Sequence, residues 1–324
     1  MESPDPPSCA GRLGSLLTQP FSDLQPLLAE EAEVLWRTLH WQVEPWEGPM
    51  GGLAWIGEGK LLGYLPLRVS GHTLVVGRMF ASRCGPTEVV EADLLDAAIH
   101  GAFSDPLIQG ISGELLKVAP ATLDRLLSGW PGQVRLRLLM EVTWIPSGDA
   151  WNGSALEPWH MDHLVPASGL LRRAYAEVPH FLTDPALNVQ EVTVRLLERI
   201  ITHPICGTFE PGASFVARAP ESGHLLGFVL ASRMGADQGH VSEVAVDPDA
   251  SQRGIGKALV TKALDALQKL GCRTSHLAVD QDNFKAIGLY KSLGFLEYHR
   301  FPDLRLERGA RDSFPAQFFG SEVG

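Results

Sequence analysis

The sequence predicts an α/β (α+β) chain built from two copies of one strand–helix unit. Three observations lead there. A tight glycine loop joins a strand to a helix within 240–271, and a second strand and short helix then close on Leu293-Gly294-Phe295. The first half of the chain repeats the same order of strands and helices, which is the mark of a duplicated fold. A length of 324 residues is long for one compact domain and comfortable for two.

The elements follow in order. The N-terminal MESPDPPSCAGR is acidic and proline-rich, with no basic stretch leading into an apolar one, so it does not read as a secretory signal. Strands are expected at 51–57, 60–70 and 73–82, then a loop and an apolar-periodic helix from Glu91 to Ala102. A strand at 107–116, a helix at 122–130 and a strand at 134–144 complete the first half. Pro, Gly, Ser and Asn collect at 146–157, which divides the chain into domains of 1–150 and 151–324.

The second half opens with helices at 169–178 and 189–202. Strands at 214–220 and 224–234 come next, joined by a hairpin turn at Glu221-Ser222-Gly223. After the glycine loop, Leu259, Val260, Ala263, Leu264, Leu267 and Leu270 form one stripe to be buried, and Gly271 supplies the helix stop. In the last helix Ala286, Leu289, Tyr290 and Leu293 share a face, with Gly294 as a left-handed cap and Phe295 folding back to close it.

A formal net charge of −11 argues against nucleic acid as a partner, because nothing here would neutralise a phosphate backbone. An acidic field attracts cationic small molecules or basic peptides, and it is also an ordinary means of staying soluble. No apolar run approaches the ~18–20 residues that a membrane span needs, so no membrane partner is expected. Cys9, Cys84, Cys206 and Cys272 lack CxxC spacing and suggest neither zinc nor a disulfide framework. A reducing, cytoplasmic setting fits them.

The glycine loop is where chemistry enters. The first amides of a helix have no internal partner and the helix dipole favours negative charge there, so SQRGIGKAL (251–259) is a candidate phosphate site. Gly254 and Gly256 let a phosphate approach the main chain. A Rossmann loop would need a third glycine where Leu259 stands. A P-loop would need Ser or Thr at Ala258 and an earlier glycine at Ser251.

The second half of the motif narrows the field. Asn283, Ala286, Tyr290 and Gly294-Phe295 spell NxxAxxxYxxxGF directly after a strand. Together the two halves resemble the GNAT superfamily of N-acetyltransferases, over roughly residues 157–307. One departure is Ser251, where the family usually opens its loop with Gln or Arg; Gln252 and Arg253 are adjacent. The resemblance implies two GNAT-like domains, each a mixed, mostly antiparallel twisted sheet flanked by helices, with acetyl-CoA bound between two splayed strands. It implies acetyl transfer to a primary amine, most naturally of a small molecule. Protein or peptide N-acetylation and non-catalytic acetyl-CoA sensing are the alternatives.

The resemblance also assigns residues. Pyrophosphate would rest on the amides from Gln252 to Ala258 (Gln252, Arg253, Gly254, Ile255, Gly256, Lys257, Ala258), with Arg253 or Lys257 adding charge. Pantetheine would pair with the main chain of Val244, Ala245 and Val246, and an amide near Val244 would face the developing oxyanion. Asn283 would bond the pantetheine arm or the amine, or cap its helix. Glu243 is the candidate base, otherwise a solvent-facing strand residue, with His240 and His276 as fallbacks. Tyr290 is the candidate acid for the leaving thiolate, otherwise a packed boundary tyrosine. No His/Cys/Asp cluster calls for a metal.

The matching loop of the first copy reads RCGPTEVVEADLL (83–95) and lacks GxG. Pro86 removes a donor, and Glu88 and Glu91 put negative charge where pyrophosphate would sit, so this copy reads as degenerate. The tail DSFPAQFFGSEVG (312–324) carries three phenylalanines, to be covered either by the partner domain or by a second subunit in a homodimer.

Overall fold

The computed structural model of the chain describes residues 51–57, 60–81, 87–143, 156–176, 189–203 and 207–308, with the backbone alone at 56, 57, 60 and 61. The loop at Cys84–Pro86, most of the boundary segment at 146–157, Cys9, Cys206 and the aromatic tail lie outside them.

The described strands are β1 (Gly51–Gly57), β2 (Lys60–Ser70), β3 (Thr73–Val76), β4 (Phe80–Ala81), β5 (Gly110–Glu114), β6 (Val134–Val142), β7 (Leu156–Pro158), β8 (Thr208–Phe209), β9 (Phe215–Arg218), β10 (Leu225–Arg233), β11 (Gln238–Val246), β12 (Thr274–Asp280) and β13 (Leu296–Glu307). The helices are α1 (Thr87–Ser104), α2 (Pro120–Gly129), α3 (Leu164–Ala176), α4 (Gln190–Thr202), α5 (Ile255–Lys269) and α6 (Phe284–Ser292).

The chain forms two compact units. Among the described residues the first holds those from 51 to 137 together with 300–308, and the second holds 138–299. A single cut at residue 150 does not give this division, because each unit borrows a strand segment from the other half of the sequence. In the first unit, Asp303–Glu307 of β13 pairs antiparallel with β5 from Glu114 to Gly110. Arg308 ties the borrowed strand down, donating to the carbonyl of Phe103 in the last turn of α1 (2.9 Å) and to that of Ile108 beyond it (2.8 Å). In the second unit the end of β6 lies beside β12. An unpaired edge on β5 or β12 would expose a row of backbone donors and acceptors, and these strands cover it.

In the first unit the order is β1-β2-β3-β5-β13, with β3 and β5 parallel and the other pairs antiparallel. Helix α1 covers this sheet with Val90, Leu94, Leu95, Ala98 and Ile99 buried against Leu65, Leu74 and Ile111. It begins at Thr87, one turn before the predicted start at Glu91, and that first turn already buries Val90.

In the second unit the order is β6-β12-β11-β10-β9-β7. One face packs on α5 and α6 through Leu259, Val260, Ala263, Leu264 and Leu267. The other packs on α3 and α4 through Leu170, Leu171, Leu197, Phe228 and Leu230. Gly223 makes the expected β9–β10 turn at φ 65. Gly271 (φ 96) and Gly294 (φ 89) end their helices left-handed, and Phe295 is fully buried with its N–H on Tyr290 O. Leu270 departs from the predicted stripe: it is 40% exposed at the C-cap, where the winding of the helix has stopped.

Candidate active site

Strands β11 and β12 are parallel and pair only from Gln238↔Thr274 to His240↔His276. Beyond His240 they part, and β11 runs on to Val246 with its edge turned to the gap. A bulge shapes this stretch. Leu230 faces Glu243 on β10 and Ala231 faces Val241, so Ser242 is the extra residue. Leu230 belongs to the α3/α4 core and Ala231 to the α5/α6 core. Strict alternation would send Glu243 to the same side as Val241; the bulge turns it towards α3 instead.

Two donors meet Glu243 there. The Tyr175 hydroxyl on α3 donates to its Oε1 at 2.6 Å, and the Val244 N–H donates to the same oxygen at 3.2 Å. Tyr290 reaches the gap from the opposite side, as part of the α5/α6 core, with its ring edge-on to Phe295 at 5.7 Å. Burial raises the Tyr290 phenol well above its usual range, and the Glu243 charge raises it further. The two sequence-predicted residues are thus electrostatic neighbours. Tyr290 keeps its proton at neutral pH.

The loop after β11 has the conformation of an anion site. Gln252 (φ 63) and Gly254 (φ 83) are both left-handed, and such a conformation is uncommon for a residue with a Cβ such as Gln252. The Ala258 N–H bonds Gly254 O at 2.9 Å, so Ala258 is already engaged within the helix and drops out of the expected donor run. The amides of Ile255, Gly256 and Lys257 precede that first helical bond. A Cβ on Gly256 would stand 3.4 Å from both Leu289 and Val246, which places this glycine between α6 and the end of β11. These residues fit a pyrophosphate lying on the helix start with its arm running along β11.

The remaining candidates are placed as follows. Val244 and Val246 are half-buried and turned to the α5/α6 side, with Ala245 buried on the other. Asn283 Oδ1 accepts the Ala286 N–H at 3.0 Å, so this residue caps α6 beside Tyr290. Arg253 is exposed and donates to the Asp249 carbonyl within the loop at 2.9 Å; Lys257 is exposed. His240 and His276 are buried register partners, and His276 Nε2 lies 3.5 Å from Glu141. Among the described residues no group of three or more His, Cys, Asp or Glu side chains converges as metal ligands would.

Three residues here have no sequence-local signal. Tyr175 is 68 positions from Glu243, and Arg173 is 74 from Asp247, which it pairs at 2.7 Å. Asp247 is buried and caps the turn leading into the loop through the Asp249 N–H. Burial pushes its carboxyl up, but hydrogen bonds from Arg173 and Asp249 and the Arg173 charge bring it below its ordinary value.

In the first unit the equivalent features differ. Glu91 is buried and accepts the Ala119 N–H at 2.7 Å, at the start of α2. It serves that helix rather than sitting at the start of α1 as a bar to phosphate. Glu88 is exposed in the first turn of α1.

Comparisons with known proteins agree with this geometry. The acetyltransferase (GNAT) family model matches residues 182–295. Mycothiol acetyltransferase from Actinosynnema mirum is 27% identical, covering 84% of this chain and 91% of its own. The [ribosomal protein bS18]-alanine N-acetyltransferase of Escherichia coli strain K12 is 38% identical over 24% of this chain and 51% of its own. Among solved structures, a GCN5-related N-acetyltransferase from Sphaerobacter thermophilus aligns with a TM-score of 0.59 at 18% identity, covering 77% of this chain and 78% of that one. A tandem GNAT protein from the clavulanic acid biosynthesis pathway aligns at 0.58 and 16% identity, over 89% and 94%. Both structures share the fold, and the clavulanic acid pathway protein shares the tandem arrangement. Residues 182–295 thus match the acetyltransferase (GNAT) family, and the chain as a whole has a tandem GNAT-like fold of the kind that binds acetyl-CoA.

Proposed function

We propose that the second unit transfers the acetyl group of acetyl-CoA directly to a primary amine, with Glu243 as base and Tyr290 as acid. The observation that supports this reading is the bulge that turns Glu243 towards α3 where β11 and β12 part, with its charge near enough to raise the Tyr290 phenol. An alkyl ammonium has a pKa near ~10.4, so at pH 7 the amine must lose a proton before it can attack. Glu243 takes that proton as the new C–N bond forms. Tyr290 gives its own proton to the sulfur as the C–S bond breaks, and its raised pKa keeps that proton in place beforehand. The amides of Ile255, Gly256 and Lys257 hold the diphosphate, Val244 to Val246 the arm, and Asn283 braces α6.

The Val244 N–H presently donates to Glu243 Oε1. An oxyanion using the same amide would draw it away from the carboxylate. The test is turnover followed by thiol release with a panel of primary amines: Glu243→Gln and Tyr290→Phe should each lose turnover while binding acetyl-CoA normally. Normal turnover in either variant removes that residue from the mechanism.

A small-molecule acceptor is supported by the relative that spans most of both chains, which is named for mycothiol rather than for a protein. A peptide amine is the second reading, on the strength of the bS18-alanine relative, which matches a shorter stretch at higher identity. A cytoplasmic setting accords with the buried, unpaired thiol of Cys272.

A further inference from the structure

We infer that Tyr175 is a positioning residue for the base, setting both the direction and the ionisation of the Glu243 carboxylate. The inference rests on Glu243 being the base. An ionised carboxylate can only accept, so the phenol of Tyr175 is the donor, and 2.6 Å is the length of a charge-assisted O–H···O bond. The Val244 N–H falls on the same oxygen. With the Tyr175 hydroxyl and the Val244 N–H both on Oε1, the carboxylate has a defined rotation.

The support for Tyr175 is rigid. Two residues earlier on α3, Arg173 bonds the buried Asp247 at the far end of the same strand. Between these polar contacts and the sheet, Leu170 and Leu171 are fully buried against Phe228, Leu230 and Ala245. Helix α3 therefore grips the chain at Glu243 of β11 and at Asp247 just past its end, on either side of Val244 to Val246. The other ionisable groups on the elements around Glu243 are Arg172 and Arg173 on α3, Arg233 on β10, His240 on β11 with Asp247 just past its end, His276 and Asp280 on β12 with Glu141 of β6 beside His276, and Lys285, Tyr290 and Lys291 on α6.

A donor to the charged form holds a carboxylate's pKa down, so losing it moves the pKa up. The decisive variant is Tyr175→Phe, which keeps the ring and its packing. The full-length protein, labelled with 13C at the glutamate δ-carbon, is titrated by NMR, and the Glu243 signal is identified by its loss in Glu243→Gln. Tyr175→Phe should raise the Glu243 titration by about one pH unit. The acid limb of kcat/KM, measured with acetyl-CoA and the best amine of the panel, should rise equally. Turnover on the acid side should fall roughly tenfold, with KM for acetyl-CoA unchanged. In the Glu243→Gln background the same substitution should have no further effect on turnover.

An unmoved Glu243 titration in Tyr175→Phe, with Glu243→Gln inactive, would overturn the positioning role and leave the base intact. A Glu243→Gln variant with wild-type turnover and an unchanged acid limb would overturn the base, and this inference with it.

Discussion

The two units treat the same seam in opposite ways. In each, two parallel strands pair at three positions: Thr73–Val75 with Gly110–Ser112 in the first, Gln238–His240 with Thr274–His276 in the second. Past that point β11 continues from Val241 to Val246 along an open gap, with a bulge that delivers Glu243. Strand β3 ends one residue later, at Val76. There Gly113 of β5 lies so close that a Cβ on it would stand 2.3 Å from the Val76 carbonyl oxygen. In the second unit β11 runs on beside β10 as one strand; in the first, Val76 meets Gly113 closely and the chain rejoins β2 only as the short β4. The helix starts diverge as well, with bare amides and glycines at α5 and an exposed Glu88 in the first turn of α1.

The comparison can be broken at several points. The largest effect is expected from Gly256→Glu, which places a carboxylate on the amides of the α5 start. Acetyl-CoA affinity by calorimetry should fall by about 100-fold or more, because like charge replaces a partial positive charge at short range. An affinity within a fewfold of wild type would remove the loop from the site. Next comes Tyr290→Phe, with kcat lower by about 10² or more and acetyl-CoA affinity spared, read by thiol release.

A smaller effect tests the closed seam. Gly113→Val should lower the stability of the first unit by roughly 1–3 kcal/mol in thermal unfolding, since the backbone of Val76 cannot retreat easily. Acetyl-CoA affinity should not change. The smallest effect concerns the hinge of the loop. Asp247 has a folded pKa below its ordinary 3.8, so its ion pair stabilises fully above about pH 4, and that stabilisation is lost as the pH falls through the folded value. Asp247→Asn should therefore cost about 1 kcal/mol near pH 7, with the half-exposed Arg173 limiting the loss, and the difference from wild type should vanish in more acidic solution.

What the sequence revealed of this site was what short-range rules encode. The stripe from Leu259 to Leu267, the left-handed Gly271 and Gly294, and the fold-back of Phe295 are set within one or two helical turns. The glycine loop was legible for the same reason, although the helical bond made by Ala258 could be assigned only once the start of α5 was known. The bulge at Ser242 was not legible, because it is a property of two strands in register and Ser242 itself carries no mark of it. The exchange of strand segments between units was hidden likewise: β13 could pair with any exposed edge, and the order of elements alone suggests that each half closes on itself. Glu91 illustrates the point in reverse. Its charge near a helix start suggested repulsion of phosphate, whereas its real partner is the Ala119 amide of another helix.

The central claim is that the open seam of the second unit is where acetyl-CoA binds and that the closed seam of the first has lost this capacity. Calorimetric titration of the full chain with acetyl-CoA, read for stoichiometry, tests it most directly. One site per chain, abolished by Gly256→Glu, is the predicted result. Two sites, or one that survives Gly256→Glu, would contradict it and place a working cofactor site in the first unit.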